Sequence, residues 1–151
     1  MTDAPSTAIA ATYALLLDRV LEYCVRSIED LSVEELNHLP HAEANSIGFD
    51  IWHVARTIDN VLCFVFDREQ PIWLRDGYHD RFALPKVAQG TGMSGEDARA
   101  LRFPDPALFI AYLGALREVC VPRVAAMTEA YLAETDRKST RLNSSHLGIS
   151  Y

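Results

Sequence analysis

One histidine, His53, sits in the middle of the strongest helical segment of this chain, residues 45–66 (NSIGFDIWHVARTIDNVLCFVF). An imidazole in such a place can take up a proton, give one away or bind a metal ion. A polar line accompanies it: Asp50, His53, Thr57 and Asn60 recur at steps of three and four, so they share one helix face. The plainer reading is a surface histidine, or one satisfied within the core. The remaining histidines have weaker contexts. His38 and His41 lie in a proline-bounded loop and read as solvated, or as lining the mouth of a site. His79 falls in an irregular segment, free to approach a site but with no spacing that argues for it. His146 belongs to a C-terminal stretch set aside below. Cys24, Cys63 and Cys120 are an odd number, each within a helical pattern. They read as reduced core residues, not as a disulfide frame, a zinc knuckle or a nucleophile paired with a base.

The segment that carries His53 has its own start signal, since Asn45 or Ser46 can cap it. Ile47, Ile51, Val54, Ile58, Leu62 and Val65 recur at helical spacing and predict one buried stripe. Trp52 reads as a packing anchor. Arg56 and Asp59 predict an ion pair on the helix surface worth a few tenths of a kcal/mol; alternatively, Arg56 binds an acidic substrate. A first helix is expected over 6–30, with Ile9, Tyr13, Leu16, Leu17, Val20, Leu21, Cys24 and Ile28 as its apolar stripe. Ser32 followed by Glu35 has the spacing of a capping box and predicts one helical turn before Pro40. Residues 70–91 keep no period, yet Trp73, Tyr78, Phe82 and Leu84 can hold them on a helical surface. Ser94 and Asp97 mark another short capped helix. A third long helix opens near Pro104–Pro106 and runs towards Thr135, with Pro122 expected to kink or split it near Val119. No segment reads as strand, so the class is all-α.

A chain of 151 residues with 49% hydrophobic content suffices for one domain with a core. It contains no apolar run long enough for a membrane span and no secretory leader, which predicts a cytoplasmic protein. The formal charge is −7. Asp136, Arg137, Lys138 and Arg141 together contribute +2, leaving −9 on residues 1–135. An acidic chain without a basic cluster is a poor binder of nucleic acid. Residues 136–151 (DRKSTRLNSSHLGISY) differ from the rest: apolar periodicity stops at Thr135 and a polar run follows. That run resembles a translated sequencing-library adapter. The natural domain is therefore read as 1–135, incomplete at its C-terminus, with 136–151 a non-native tail.

Several words of the chain together resemble one family. NSIGFDIWHVARTID is followed by Trp73, Gly77, RFALP (81–85), GTGM (90–93) and a helix opening after FPDP (103–106). This combination, spread over residues 7–135, is similar to the DinB-like four-helix-bundle family of bacterial type. The resemblance implies an up-down-up-down bundle whose fourth helix is missing here. It also implies a metal-dependent enzyme, an S-transferase or isomerase that brings a low-molecular-weight thiol cosubstrate to a small electrophilic substrate. Family members commonly hold a divalent metal, zinc or nickel, through one histidine on the second helix and an H-x-x-x-H on the fourth. His53 matches the first position, while no H-x-x-x-H occurs in this sequence. Such a ligand histidine needs an acceptor on its other nitrogen, and Asp50 or Asn60 is on the right face for it. The alternative is a non-catalytic helical module that binds a partner or forms a homodimer. A third possibility is a domain that assists a larger thiol-histidine biosynthetic enzyme.

Overall fold

A computed structural model describes residues 7–134. They form α1 (Ala8–Arg26), α2 (Val33–Leu36), α3 (Ile47–Asp59), α4 (Ile72–Arg75), α5 (Tyr78–Phe82), α6 (Gly95–Ala100) and α7 (Pro106–Ala125), with a further helical segment at 129–134. There is no strand among the described residues. Side chains start the helices as expected. Thr7 Oγ1 accepts from Ala10 N at 3.0 Å and Ser46 Oγ from Phe49 N at 3.1 Å. Ser32 and Glu35 complete a capping box. Asp105 caps α7, whose first residue is Pro106. The stretch set aside as a tail lies outside the described residues.

Three long helices make the frame. α7 packs along α1 on one side and against α3, α4 and α5 on the other. Its buried residues, Phe109, Tyr112, Leu113, Leu116, Cys120 and Val124, therefore serve two interfaces. The expected split near Val119 does not occur. α7 stays continuous to Ala125, and the interruption comes at 126–128. Pro122 sits in the last turn of α7.

Two apolar stripes need correction. On α1, Ala10, Ala14, Leu21 and Cys24 face the core, joined by Ile28 just beyond its end. Ile9, Tyr13, Leu16 and Val20, expected to join them, are exposed by 43 to 62%. α1 thus has two apolar faces, and α7 covers one. On α3, the expected stripe is only partly buried, with Ile47 exposed and Val54 and Ile58 at the margin. The face turned fully inward is Phe49, Trp52, Ala55, Arg56, Asp59 and Cys63. Aromatic bulk and a buried ion pair, not the count of aliphatic residues, orient this helix. Past Asp59 it widens into a π-helical stretch, Asn60–Phe66, a change of pitch that periodicity does not signal.

The irregular segment folds into two single-turn helices, α4 and α5, pinned by buried Trp73, Tyr78 and Phe82. What anchors it is Asp59. This carboxylate is wholly buried and accepts from Ile72 N and Trp73 N at 2.8 Å each and from the Tyr112 hydroxyl at 2.7 Å. Arg56 Nη1 lies 3.6 Å from it, both side chains being buried. The pair expected on the surface is thus in the core. Burial and the charge of Asp59 push the Tyr112 phenol well above its ordinary range, so its proton stays on the bond to Asp59. Replacing Asp59 by Ala leaves two backbone donors, a phenol and a guanidinium without their acceptor. The expected loss is about 3–5 kcal/mol, measured by urea unfolding. Glu22→Ala, which removes an exposed i,i+4 pair with Arg26, should cost below about 0.5 kcal/mol.

Candidate functional site

His53 lies on the half-buried flank of α3, one turn before Arg56. Its Nδ1 is 2.5 Å from the Gln89 carbonyl oxygen. A carbonyl can only accept, so Nδ1 carries a proton, and the tautomer this bond selects has its lone pair on Nε2. The imidazole also stacks on Phe49, centroids 6.0 Å apart and planes 21° from parallel. Tautomer and orientation are therefore both set. The acceptor comes from neither Asp50 nor Asn60. Asp50 is exposed and paired with Asn45, while the chain's far loop supplies the carbonyl. Thr57, in line with His53, turns its hydroxyl back to the His53 carbonyl at 2.7 Å.

The loop does this through a glycine. Gly90 has φ +94, and a Cβ there would sit 2.7 Å from His53 Nδ1 and 3.2 Å from Phe49 Cζ. Only glycine lets this backbone adopt the left-handed conformation and approach the ring so closely. The residue before Gln89 touches the next turn of α3, where Arg56 Nε donates to the Ala88 carbonyl at 3.4 Å. A short strap thus crosses α3 and places successive carbonyls over His53 and Arg56. Arg56 is also stacked over Trp73, its guanidinium carbon 5.0 Å from the ring centroid. Neither the strap nor its register has a signal in local sequence; the two glycines of GTGM mark a turn and nothing more.

The other sequence candidates disperse. His38 and His41 are exposed. His79 is half-buried, with Nδ1 3.4 Å from the Trp73 carbonyl and Nε2 3.3 Å from the Asp80 carboxylate. All three cysteines are free and buried. Cys63 and Cys120 nevertheless meet across the α3–α7 interface, which their spacing did not suggest. The hydrogen bond with Cys63, together with burial, pushes the Cys120 thiol far up, so it stays protonated. Among the described residues no three His, Cys, Asp or Glu side chains converge as a metal site. One imidazole does not hold a divalent ion in a three-nitrogen set. The described residues therefore do not by themselves fit the metal that the resemblance implies.

A family model described as the DinB superfamily matches residues 16–143. The chain belongs to the DinB superfamily. Among solved structures it is similar to a conserved protein from Enterococcus faecalis. That match has 20% identity and a TM-score of 0.65, and covers 84% of this chain and 74% of that one. At such identity the likeness shows a shared fold. No curated protein matches. Within this DinB-type frame the all-helical class read from sequence holds. No helix among the described residues is long and apolar enough to cross a membrane.

Gly90→Ala tests the strap. A methyl group there forces Gln89 away from His53 and strains a positive-φ residue, with an expected cost of about 1–3 kcal/mol. Nitrogen NMR of the ring should show Nδ1 protonated in the parent protein and a mixture of tautomers in the variant. An unchanged spectrum would mean that the strap does not set the tautomer.

Proposed function

We propose that this DinB-superfamily chain contributes His53 to an enzyme site that brings a low-molecular-weight thiol to a small electrophile. The observation that supports this reading is the state of His53: Nδ1–H is held by a backbone carbonyl and Nε2 keeps its lone pair. That nitrogen can take the proton of a thiol, making the thiolate that attacks. It is also the nitrogen a zinc or nickel ion would use, given further donors from outside the described residues. The arrangement of a ring nitrogen bonded to a carbonyl while the other stays free is the one found at metal-bound histidines.

The test is metal content in the protein purified without chelator. One equivalent of zinc or nickel is expected, and His53→Ala should lose it while unfolding within about 1 kcal/mol of the parent, as for a half-exposed site. Protein that arrives metal-free and takes up neither ion would refute the metal-dependent enzyme.

One observation favours a second reading, a helical module that pairs with another copy of itself. Ile9, Tyr13, Leu16, Val20 and Tyr23 lie exposed along α1 at alternating steps of four and three, the spacing of a coiled-coil seam. Under this reading the chain dimerises, and Leu16→Glu makes it monomeric in light scattering after size exclusion without unfolding it. A monomeric parent protein at high concentration would remove this alternative.

A further inference from the structure

Cys63, on the π-helical stretch, and Cys120, on α7, are both buried, and their thiols hydrogen-bond to each other. Bonds on both sides hold this contact. The Tyr112 hydroxyl donates at 2.7 Å to Asp59, one turn before Cys63. Arg123 Nη1, one turn after Cys120, donates to the Leu62 carbonyl at 3.2 Å. Arg123 also pairs with Asp67 and Glu69, just past the stretch. Charge distinguishes the two sulfurs. The bond with Cys120 and the guanidinium of Arg123 hold the Cys63 thiol below its ordinary range, against burial and the Asp59 carboxylate. Cys120 keeps its proton. A thiolate is the nucleophilic form of cysteine, and a thiol in contact with it can resolve what the thiolate begins. The core is also incomplete beside the pair. Leu62, next to Cys63, and Val124, one turn after Cys120, are in the wall of an apolar hollow of about 300 Å³. Ile9 and Tyr13, at the same hollow, are exposed, so a small uncharged molecule can enter it from solvent.

We propose that Cys63 and Cys120 are a redox lock: hydrogen peroxide joins them in a disulfide that ties the π-helical stretch to α7, and a small thiol releases it. The Cys63 sulfur attacks the O–O bond. An S–O bond forms, hydroxide leaves, and Cys63 becomes a sulfenic acid. The Cys120 sulfur then attacks the Cys63 sulfur. The S–S bond forms, the S–O bond breaks, and the departing hydroxide takes the Cys120 proton as water. The proton shed by Cys63 neutralises the first hydroxide. Two thiols and one hydrogen peroxide thus give one disulfide and two waters. Thiol–disulfide exchange with two equivalents of a low-molecular-weight thiol returns both cysteines. The disulfide closes residues 64–119 into a loop, which holds α4, α5, α6 and the strap. Closing a loop of this length restricts the unfolded chain, so the oxidised protein resists unfolding. The lock needs neither His53 nor a metal, and stands apart from the thiol-transfer reading.

The test treats the reduced, folded full chain with millimolar hydrogen peroxide, then alkylates it in denaturant for mass spectrometry. The chain has three cysteines. Alkylation at Cys24 alone is expected, with one peptide pair joined through Cys63 and Cys120 that dithiothreitol separates. Oxidation should raise the urea midpoint by about 1–2 M. Cys24→Ser should react as the parent does, while Cys120→Ser should stop at a sulfenic acid on Cys63 that dimedone traps. Where circular dichroism shows that Cys120→Ser does not fold, the peptide map of the parent decides. Three alkylated cysteines after prolonged exposure overturn the lock. So does a joined pair that forms only in urea, because the folded contact is then not what reacts. An unmoved midpoint in fully oxidised protein overturns it as well.

Discussion

A buried carboxylate needs its acceptors filled, and in this chain the way Asp59 fills them arranges much of what surrounds it. Its oxygens take the amides of Ile72 and Trp73 and the hydroxyl of Tyr112, so one side chain of α3 joins the segment after it to α7. Without water to compete, each of these charge-assisted bonds is stronger than on the surface. The amides hold α4 at the end of α3, and Trp73 follows into the core. There it meets Trp52, Phe82 and Tyr112, with ring centroids 5.3 to 6.4 Å apart. The same indole carries Arg56 on its face. A polar network and an aromatic core are therefore one object, and perturbing either disturbs both.

The strap that carries Ala88 and Gln89 completes this object from outside. Its carbonyls meet the two polar side chains that α3 turns towards it, one after the other along the helix. The consequences differ. At His53 the carbonyl selects a tautomer and frees Nε2. At Arg56 the Ala88 carbonyl accepts from Nε, while Nη1 faces the Asp59 carboxylate 3.6 Å away. The strap thus orients the ring of one residue and meets the guanidinium of the other.

DinB-superfamily membership rests on a match across most of the chain, and the fold is shared with the Enterococcus faecalis protein at low identity. What the two must share is therefore packing geometry and not a residue list. α1 shows the limit of that geometry among the described residues. It buries Ala10, Ala14, Leu21 and Cys24 against the core and turns a second apolar row to solvent. Apolar rows of that length on a helix are normally covered.

The long helices and the short capped ones were legible locally, unlike α4 and α5. Thr7 and Ser46 cap by bonds to amides three residues on, the Ser32–Glu35 box is closed within one turn, and Pro106 opens α7. Such bonds join near neighbours, so spacing alone reveals them. His53 was legible as a candidate for the same reason: it shares a helix face with polar neighbours. The sequence could not show which apolar row of α1 would be covered, because both rows have helical spacing and only α7 distinguishes them. Nor could it place Arg56 and Asp59 in the core. At i,i+3 they read as a surface pair, and their burial depends on amides thirteen and fourteen residues further along and on a phenol from α7. The acceptor for His53 lies 36 residues away, brought there by a glycine whose positive φ has no meaning until the ring is beneath it. Local bonds are determined by the order of residues, whereas the partners of a buried charge or a chosen tautomer exist only once distant segments pack together.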